Sequence, residues 1–339
     1  MSRSDGAPHR RAGCLRRVVV SGILEGSKST PLLGRCGVIG SDRALLGVYK
    51  GFGAAAVAAT VRHEELVGRP MEIGNDYLPH GSWADFEPTS MRRLQLDPWR
   101  AWRDERPGSR FVYGVPPLVD GDEGAFARGV AGEFDAAYEQ AARALVSAGH
   151  GDAIVRLGWE PNNRAIGPWQ ATDDPVGYAA LFRHVVGVFR ATPGACFTFE
   201  LSSALGLQPG RRLSAFADYY PGDAYVDWLG MNAYDLRWGD PTTSPADRWS
   251  WIRSQEAGLD AHVAFVRARG KRNVCSEWGL YRGGDLFAGG GDDPYYIDRM
   301  TEYFSWGEVA YQSYFDHDWG GGTLAEFPAG QAAYVRRFR

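Results

Sequence analysis

The stretch Val155-Arg156-Leu157-Gly158-Trp159-Glu160-Pro161-Asn162-Asn163 decides the fold. It continues a short apolar run over Ala153–Gly158 and then breaks into a Pro- and Asn-containing loop that carries an acid. Downstream, Asp174-Pro175 opens a segment in which Tyr178, Leu181, Phe182, Val185 and Val188 recur at helical spacing. Proline is tolerated in the first turn of a helix, and the apolar stripe gives that helix one face to bury. A buried strand, a loop and an amphipathic helix, in that order, form the repeating unit of a parallel α/β protein.

Read outward from this stretch, the same unit recurs from Leu45 to the end of the chain. Candidate strands are Leu45–Tyr49, Met71–Asn75, Arg110–Val115, Ala153–Gly158, Cys196–Leu201, Val226–Ala233, Asn273–Ser276 and Ala310–Phe315. Helical patterns run through Phe126, Val130, Phe134, Tyr138, Ala141 and Leu145, and over Asp247–Arg269 and Asp293–Phe304, with a short helix after Pro328. Eight strands alternating with helices predict a (β/α)8 TIM barrel over 45–339. Residues 1–44 are expected to form a disordered or poorly packed N-terminal extension. The rival, an open doubly wound sheet, lacks its usual fingerprint: Gly51-Phe52-Gly53 has no third glycine and no acidic partner downstream.

The chain has 339 residues, a net charge of −4 and a pI near 6.0. That balance gives no electrostatic footprint for nucleic acid or an anionic membrane. Twelve Trp and sixteen Tyr are more than a core of this size requires, and many stand beside Gly, Asp or Asn. Their flat faces and polar edges suit stacking on sugar rings. Cys14, Cys36, Cys196 and Cys275 have no metal-like spacing, and Cys196 and Cys275 lie in apolar runs where a thiol acts as a small hydrophobe. No segment reaches the roughly 20 apolar residues of a membrane span. The basic start followed by the short Val18–Leu24 run is a poor signal peptide, so secreted and cytoplasmic locations both stay open. No cofactor or metal is expected, the expected partner is a polysaccharide or oligosaccharide, and a monomer is expected.

Reactive groups in such barrels gather at the C-terminal ends of the strands. Glu160 ends the fourth strand, and Glu277 ends the seventh within Val274-Cys275-Ser276-Glu277-Trp278-Gly279. Glycoside hydrolysis needs one carboxylic acid to protonate the leaving oxygen and one carboxylate to attack or stabilise the anomeric carbon. Glu160, flanked by apolar Trp159 and Pro161 and near an ionised Glu277, is placed to hold its proton; Glu277 needs donors or a cation to stay ionised. Arg156 shares strand parity with Glu160 and should point inward below it, supplying positive charge to the site. Each of these residues has an ordinary structural explanation as well: a glutamate–arginine pair, or a balanced core charge.

The placement on strands four and seven resembles clan A of the glycoside hydrolases, and most of all glycoside hydrolase family 26, the β-mannanase family. The resemblance rests on Arg156…Glu160-x-Asn162, on Ser276-Glu277-Trp278-Gly279 and on the closing Trp319…Leu324…Phe327-Pro328 run, and covers Leu45 to Arg339. It implies a retaining endo-acting β-glycosidase with Glu160 as acid/base and Glu277 as nucleophile, acting first on β-mannan and alternatively on β-xylan or another β-glycan. It also implies that the hydroxyl of Tyr234 contacts the nucleophile and that Trp319 is a sugar platform. Trp159 stands where many family members have a histidine, which puts strict mannan specificity in doubt. Asn162, Asp76 with Tyr77, and Tyr49 are further candidate sugar contacts. A non-catalytic carbohydrate-binding barrel is the alternative of a different class.

Other motifs carry less. His63-Glu64-Glu65 lacks a second zinc-protease histidine and reads as a solvated helix face. Gly289–Asp293 has the look of a calcium loop but reads more readily as a loop leading into a helix, and Asp316-His317-Asp318 looks metal-like yet sits at a strand end, where hydrogen bonding to substrate explains it equally well. A lyase or aldolase would need metal ligands or a Schiff-base lysine, and of the lysines only Lys50 ends a strand.

Overall fold

The computed structural model describes residues 43–205, 216–238, 243–282, 287–319 and 321–339. The expectation for 1–44 therefore lies almost wholly outside the described residues. Eight parallel strands close into a barrel in chain order: β1 Leu45–Tyr49, β2 Ile73–Tyr77, β3 Arg110–Val115, β4 Ile154–Leu157, β5 Thr198–Ala204, β6 Trp228–Tyr234, β7 Arg272–Gly279 and β8 Val309–Phe315. The barrel shuts where β1 pairs β8, from Leu45 opposite Tyr311 to Tyr49 opposite Phe315. The sequence places β1 and β3 to the residue. β2 and β5 start two residues later than read, because Met71 and Cys196 still belong to the incoming turns.

Among the described residues a helix of eight residues or more follows every strand except β5: α1 Gly53–Val67, α2 Asp97–Asp104, α3 Asp135–Ser147, α4 Pro175–Ala191, α5 Pro245–Ser254, α6 Leu259–Ala268, α7 Pro294–Trp306 and α8 Pro328–Phe338. Two helices read as continuous are broken. The stripe from Phe126 stops at Val130 and resumes at Asp135, with Gly132 at φ +87 between them. The Asp247–Arg269 helix splits into α5 and α6 at Gly258, where a Cβ would fall 2.4 Å from the Arg253 carbonyl oxygen. Asp174 caps α4 by accepting from the Gly177 N–H, and Asp293 caps α7 by accepting from the Tyr295 and Tyr296 N–H groups, each just ahead of a proline.

The alternation of β side chains sorts the core into two regions. Outward residues such as Phe111, Tyr113, Leu157 and Trp278 join the helix-facing cluster. Inward, Ile73, Val112, Ile154, Trp228, Val274 and Tyr311 form a separate cluster that plugs the lumen. One turn of pleat above that plug, toward the C-terminal strand ends, the inward positions turn polar: Asn75, Arg156, Glu200, Ser202, Asn232, Ser276 and Ser313, all buried. A polar layer over an apolar plug is the floor of a site, since buried polar groups persist only when they satisfy one another.

The His63 segment is not a solvated face. His63 is buried and reaches the Tyr334 hydroxyl at 3.3 Å, while Glu64 pairs with Arg106 at 2.6 Å. Of the two cysteines read as apolar thiols, Cys275 is a free, buried thiol, but Cys196 is disulfide-bonded. No described helix is long and apolar enough to cross a membrane.

Candidate active site

Arg156 organises the floor. It rises from β4 with no exposed surface and its fork reaches four strands. Nε donates to Ser202 Oγ at 2.8 Å and lies 3.3 Å from Glu200 Oε1 on β5. Nη1 donates to Glu277 Oε1 on β7 at 2.6 Å and to the Tyr77 hydroxyl on β2. Nη2 donates to Asn232 Oδ1 on β6 at 2.9 Å. A planar guanidinium with five donors in fixed directions suits this task, where a flexible ammonium would not.

Glu277 receives three donors. Arg156 Nη1 and the Tyr77 hydroxyl, at 2.7 Å, reach Oε1, and the Tyr234 hydroxyl reaches Oε2 at 2.8 Å. Its charge is balanced and its orientation fixed from three strands. Room for the Tyr77 ring comes from Gly114, where a Cβ would fall 2.2 Å from that ring. Glu277 faces the lumen because β7 bulges. Gly230 opposes Val274, yet Asn232, two residues on, opposes Glu277, three residues on; β8 registers the same extra residue between Cys275 and Trp278. Ser276 and Glu277 therefore both point inward, which a regular strand forbids.

Glu160 sits in a different environment. Burial, and then the nearby charge of Glu277, push its carboxyl above the usual range, while Asn163, Asn232 and Arg156 act the other way. Its direct partners are neutral amides: Asn232 Nδ2 donates to Oε1 at 2.7 Å and Asn163 Nδ2 to Oε2 at 2.8 Å. The backbone at Glu160 is left-handed, φ +50, one of two such non-glycine residues among those described. That conformation costs about 1–2 kcal/mol. It is held by the Glu160 N–H donating to the Ser202 carbonyl and by the Asn163 N–H donating to the Glu160 carbonyl, both at 2.8 Å. Two carboxyl groups at the C-terminal ends of β4 and β7, with β5 and β6 between them, one raised by burial and the other paired with a guanidinium, offer the contrast an acid and a nucleophile require.

Several residues read as sugar contacts have other work. Asp76 points out of the barrel, opposite in parity to Tyr77, and accepts from the backbone N–H groups of Gly53 and Tyr77 and from Gln95 and Trp99. Burial lifts its carboxyl to about 7 against those four donors. Asn162 is buried and exchanges both side-chain groups with the backbone of Ala204, at 2.9 and 2.8 Å, riveting the loop after β4 to the end of β5. Tyr49 has no exposed surface and packs against Phe315 and Tyr77. Trp159 is only 7% exposed, with its ring between Tyr77 and Trp169, so it forms wall and not platform. Arg156 meets Glu277 and no solvent. Asp316 is engaged too, accepting from Lys50 Nζ at 2.7 Å and from the Leu324 N–H, so neither it nor Lys50 is free. The Tyr234 hydroxyl donates to Glu277 Oε2. Trp319, 60% exposed, stands at the mouth within ring contact of Phe52, Tyr49 and Phe315.

The sequence reading gives Asn232, Asn163 and Glu200 no place among the site residues, and Tyr77 appears there only as a sugar contact. Asn232 was within reach: it stands two before Tyr234 on the same strand and so shares its face. Glu200 is a lone acid inside an apolar strand, which burial makes costly unless it is partnered.

The eight parallel strands and the helices that follow them define a (β/α)8 barrel. Solved structures similar to it include family 26 β-mannanases. The catalytic domain of the endo-β-1,4-mannanase from Bacillus sp. JAMB-750 superposes with a TM-score of 0.63 at 14% identity, over 87% of this chain and 85% of that one. The modular endo-β-1,4-mannanase of Cellulomonas fimi gives 0.62 at 18% identity, over 87% and 70%. The β-mannanase of Bacteroides ovatus gives 0.60 at 12%, over 88% and 89%. No family model matches the sequence, and no curated protein matches it. At these identities the likeness establishes a shared fold.

Proposed function

We propose that the chain is a retaining endo-β-glycosidase, with β-mannan as first-choice substrate. The observation that carries this reading is the contrast between the two glutamates: Glu160 buried among neutral amides with its carboxyl raised, and Glu277 paired with Arg156 and two phenols. In the first step Glu277 attacks the anomeric carbon while the proton of Glu160 passes to the departing glycosidic oxygen, giving a glycosyl-enzyme ester. Oε2, which accepts one hydrogen bond where Oε1 accepts two, is the attacking atom. In the second step Glu160, now a carboxylate, takes a proton from water as that water attacks the anomeric carbon and Glu277 leaves. Trp319 offers the exposed indole face on which a sugar stacks.

Support for mannan comes from the fold shared with β-mannanases, while the buried indole of Trp159 offers no polar side chain of the histidine kind beside the reacting sugar. β-Xylan or another β-glycan is therefore the second reading. The test is hydrolysis of β-mannan, β-xylan, mixed-linkage glucan and aryl β-glycosides, with product analysis. A chain inactive on all of them would defeat the proposal and favour a carbohydrate-binding barrel.

A further inference from the structure

A third carboxyl group lies below the other two. Glu200, in the middle of β5, has no exposed surface, and its oxygens meet the Ser276 hydroxyl, the Tyr311 hydroxyl and the Nε side of Arg156. The space it fills is made for it. Gly230 lies opposite Ser202 in the β5–β6 register, and a Cβ at Gly230 would fall 2.7 Å from the Ser202 Cβ, 2.8 Å from Glu200 Oε1 and 2.9 Å from Ser276 Oγ. An acid in this position costs folding free energy that an apolar residue would avoid. The plug immediately beneath is apolar, so a hydrophobic side chain would suit the location.

Its placement accounts for that cost. The guanidinium of Arg156 can rotate about its side-chain axis, and two of its edges are committed upward, Nη1 to Glu277 and Nη2 to Asn232, which in turn donates to Glu160. The remaining edge, Nε, is met from below by Ser202 and Glu200. With Glu200 removed, neutral Ser202 is the partner left on that edge and no negative charge opposes the pull of the two upper carboxyl groups, so the cation is free to tilt toward them. We propose that Glu200 is a positioning residue: by holding the Nε edge of Arg156 it fixes the rotation that aims Nη1 at the nucleophile and, through Asn232, orients the acid. This rests on the assignment of Glu160 and Glu277 to the chemistry. Glu200 itself touches neither sugar nor reacting atoms. The charged and titratable groups that act on Glu200 are Arg156 on β4, Glu277 on β7 and Tyr311 on β8.

The full-length Glu200→Ala and Glu200→Gln variants test this, each compared with the parent for melting temperature, kinetics and crystal structure. On β-1,4-mannan, or whichever test glycan the parent cleaves, Glu200→Ala lowers kcat by about thirtyfold with KM within about twofold, since orientation is lost and the groove is not. Glu200→Gln restores kcat to within about fivefold of the parent. Adding Glu200→Ala to Arg156→Lys costs little beyond Arg156→Lys alone, because both act through one group. In the crystal structure of Glu200→Ala, Arg156 Nη1 moves out of hydrogen-bond reach of Glu277. An Arg156 that keeps its contacts to Glu277 and Asn232 in that structure overturns the proposal, as does an unchanged kcat or a loss that multiplies with Arg156→Lys. A parent inactive on every glycan defeats the glycosidase reading alone; the position of Arg156 still decides this one.

Discussion

Arg156 and Glu277, 121 positions apart in the chain, meet across the barrel at 2.6 Å with side chains 0% and 8% exposed. A buried ion pair of this kind is weak support for stability, because desolvation consumes most of the Coulomb gain, but removing one partner leaves the other uncompensated. Arg156→Met should therefore leave Glu277 buried without its cation, destabilise the fold by about 3–5 kcal/mol and abolish hydrolysis. Chemical denaturation of Arg156→Met and of the Arg156→Met/Glu277→Gln double variant checks this: the double variant should be the more stable of the two.

The roles proposed for the two glutamates predict different losses. Glu277→Ala should remove nearly all activity, with azide restoring part of it by entering the vacated nucleophile position. Glu160→Ala should spare aryl glycosides with good leaving groups, which need little protonation. Equal loss on activated and unactivated substrates would remove Glu160 from the acid role.

Retention is directly observable. Under the proposed double displacement through Glu277, the first product of a β-linked substrate carries the β anomer. Proton NMR of a digest in its first minutes should resolve that anomer before mutarotation; an initial α product would establish inversion instead.

The pH profile should respond to Asn232. Its amide donates to Glu160 and favours the ionised form, against burial and Glu277, which favour the protonated one. Deleting the donor, as in Asn232→Ala, raises the Glu160 carboxyl further, so the alkaline limb of kcat/KM moves to higher pH. Glu277→Gln removes a repelling charge and should move the Glu160 titration, followed by carboxyl NMR, to lower pH. Movement in the opposite sense in either variant would break the assignment.

Trp319 and Trp159 should separate binding from folding. Trp319 is exposed, so Trp319→Ala should leave the melting temperature unchanged and lower kcat/KM by about tenfold, the equivalent of one lost stacking contact of roughly 1.4 kcal/mol. Trp159 is wedged between Tyr77 and Trp169, and truncating a buried Trp costs about 3–5 kcal/mol of stability. A thermally normal Trp159→Ala with altered glycan preference would return that residue to the groove.

Local chemistry determined most of the architecture. Short apolar runs such as Arg110–Val115, followed by amphipathic helices opened by Asp-Pro at 174–175 and 293–294, carry their structure in neighbouring residues, so reading along the chain finds them. The acids at the ends of β4 and β7 were legible for the same reason, as was the inward aim of Arg156 from its parity with Glu160. Parity also exposes the error at Asp76, which sits one residue from the inward-facing Tyr77 and so faces the helices.

The tertiary structure decided what several strands must build together. Glu277 faces the lumen only through a bulge in β7, and nothing in Cys275-Ser276-Glu277 signals the extra residue; the pairing with β6 and β8 creates it. Asn232 and Glu200 acquire their roles from Arg156, 76 and 44 positions away in the chain, because the barrel brings β4, β5 and β6 side by side. Sequence fixes which face a side chain takes on its own strand, through a period of two. Which groups then meet in the lumen depends on register and closure, and those are properties of all eight strands at once.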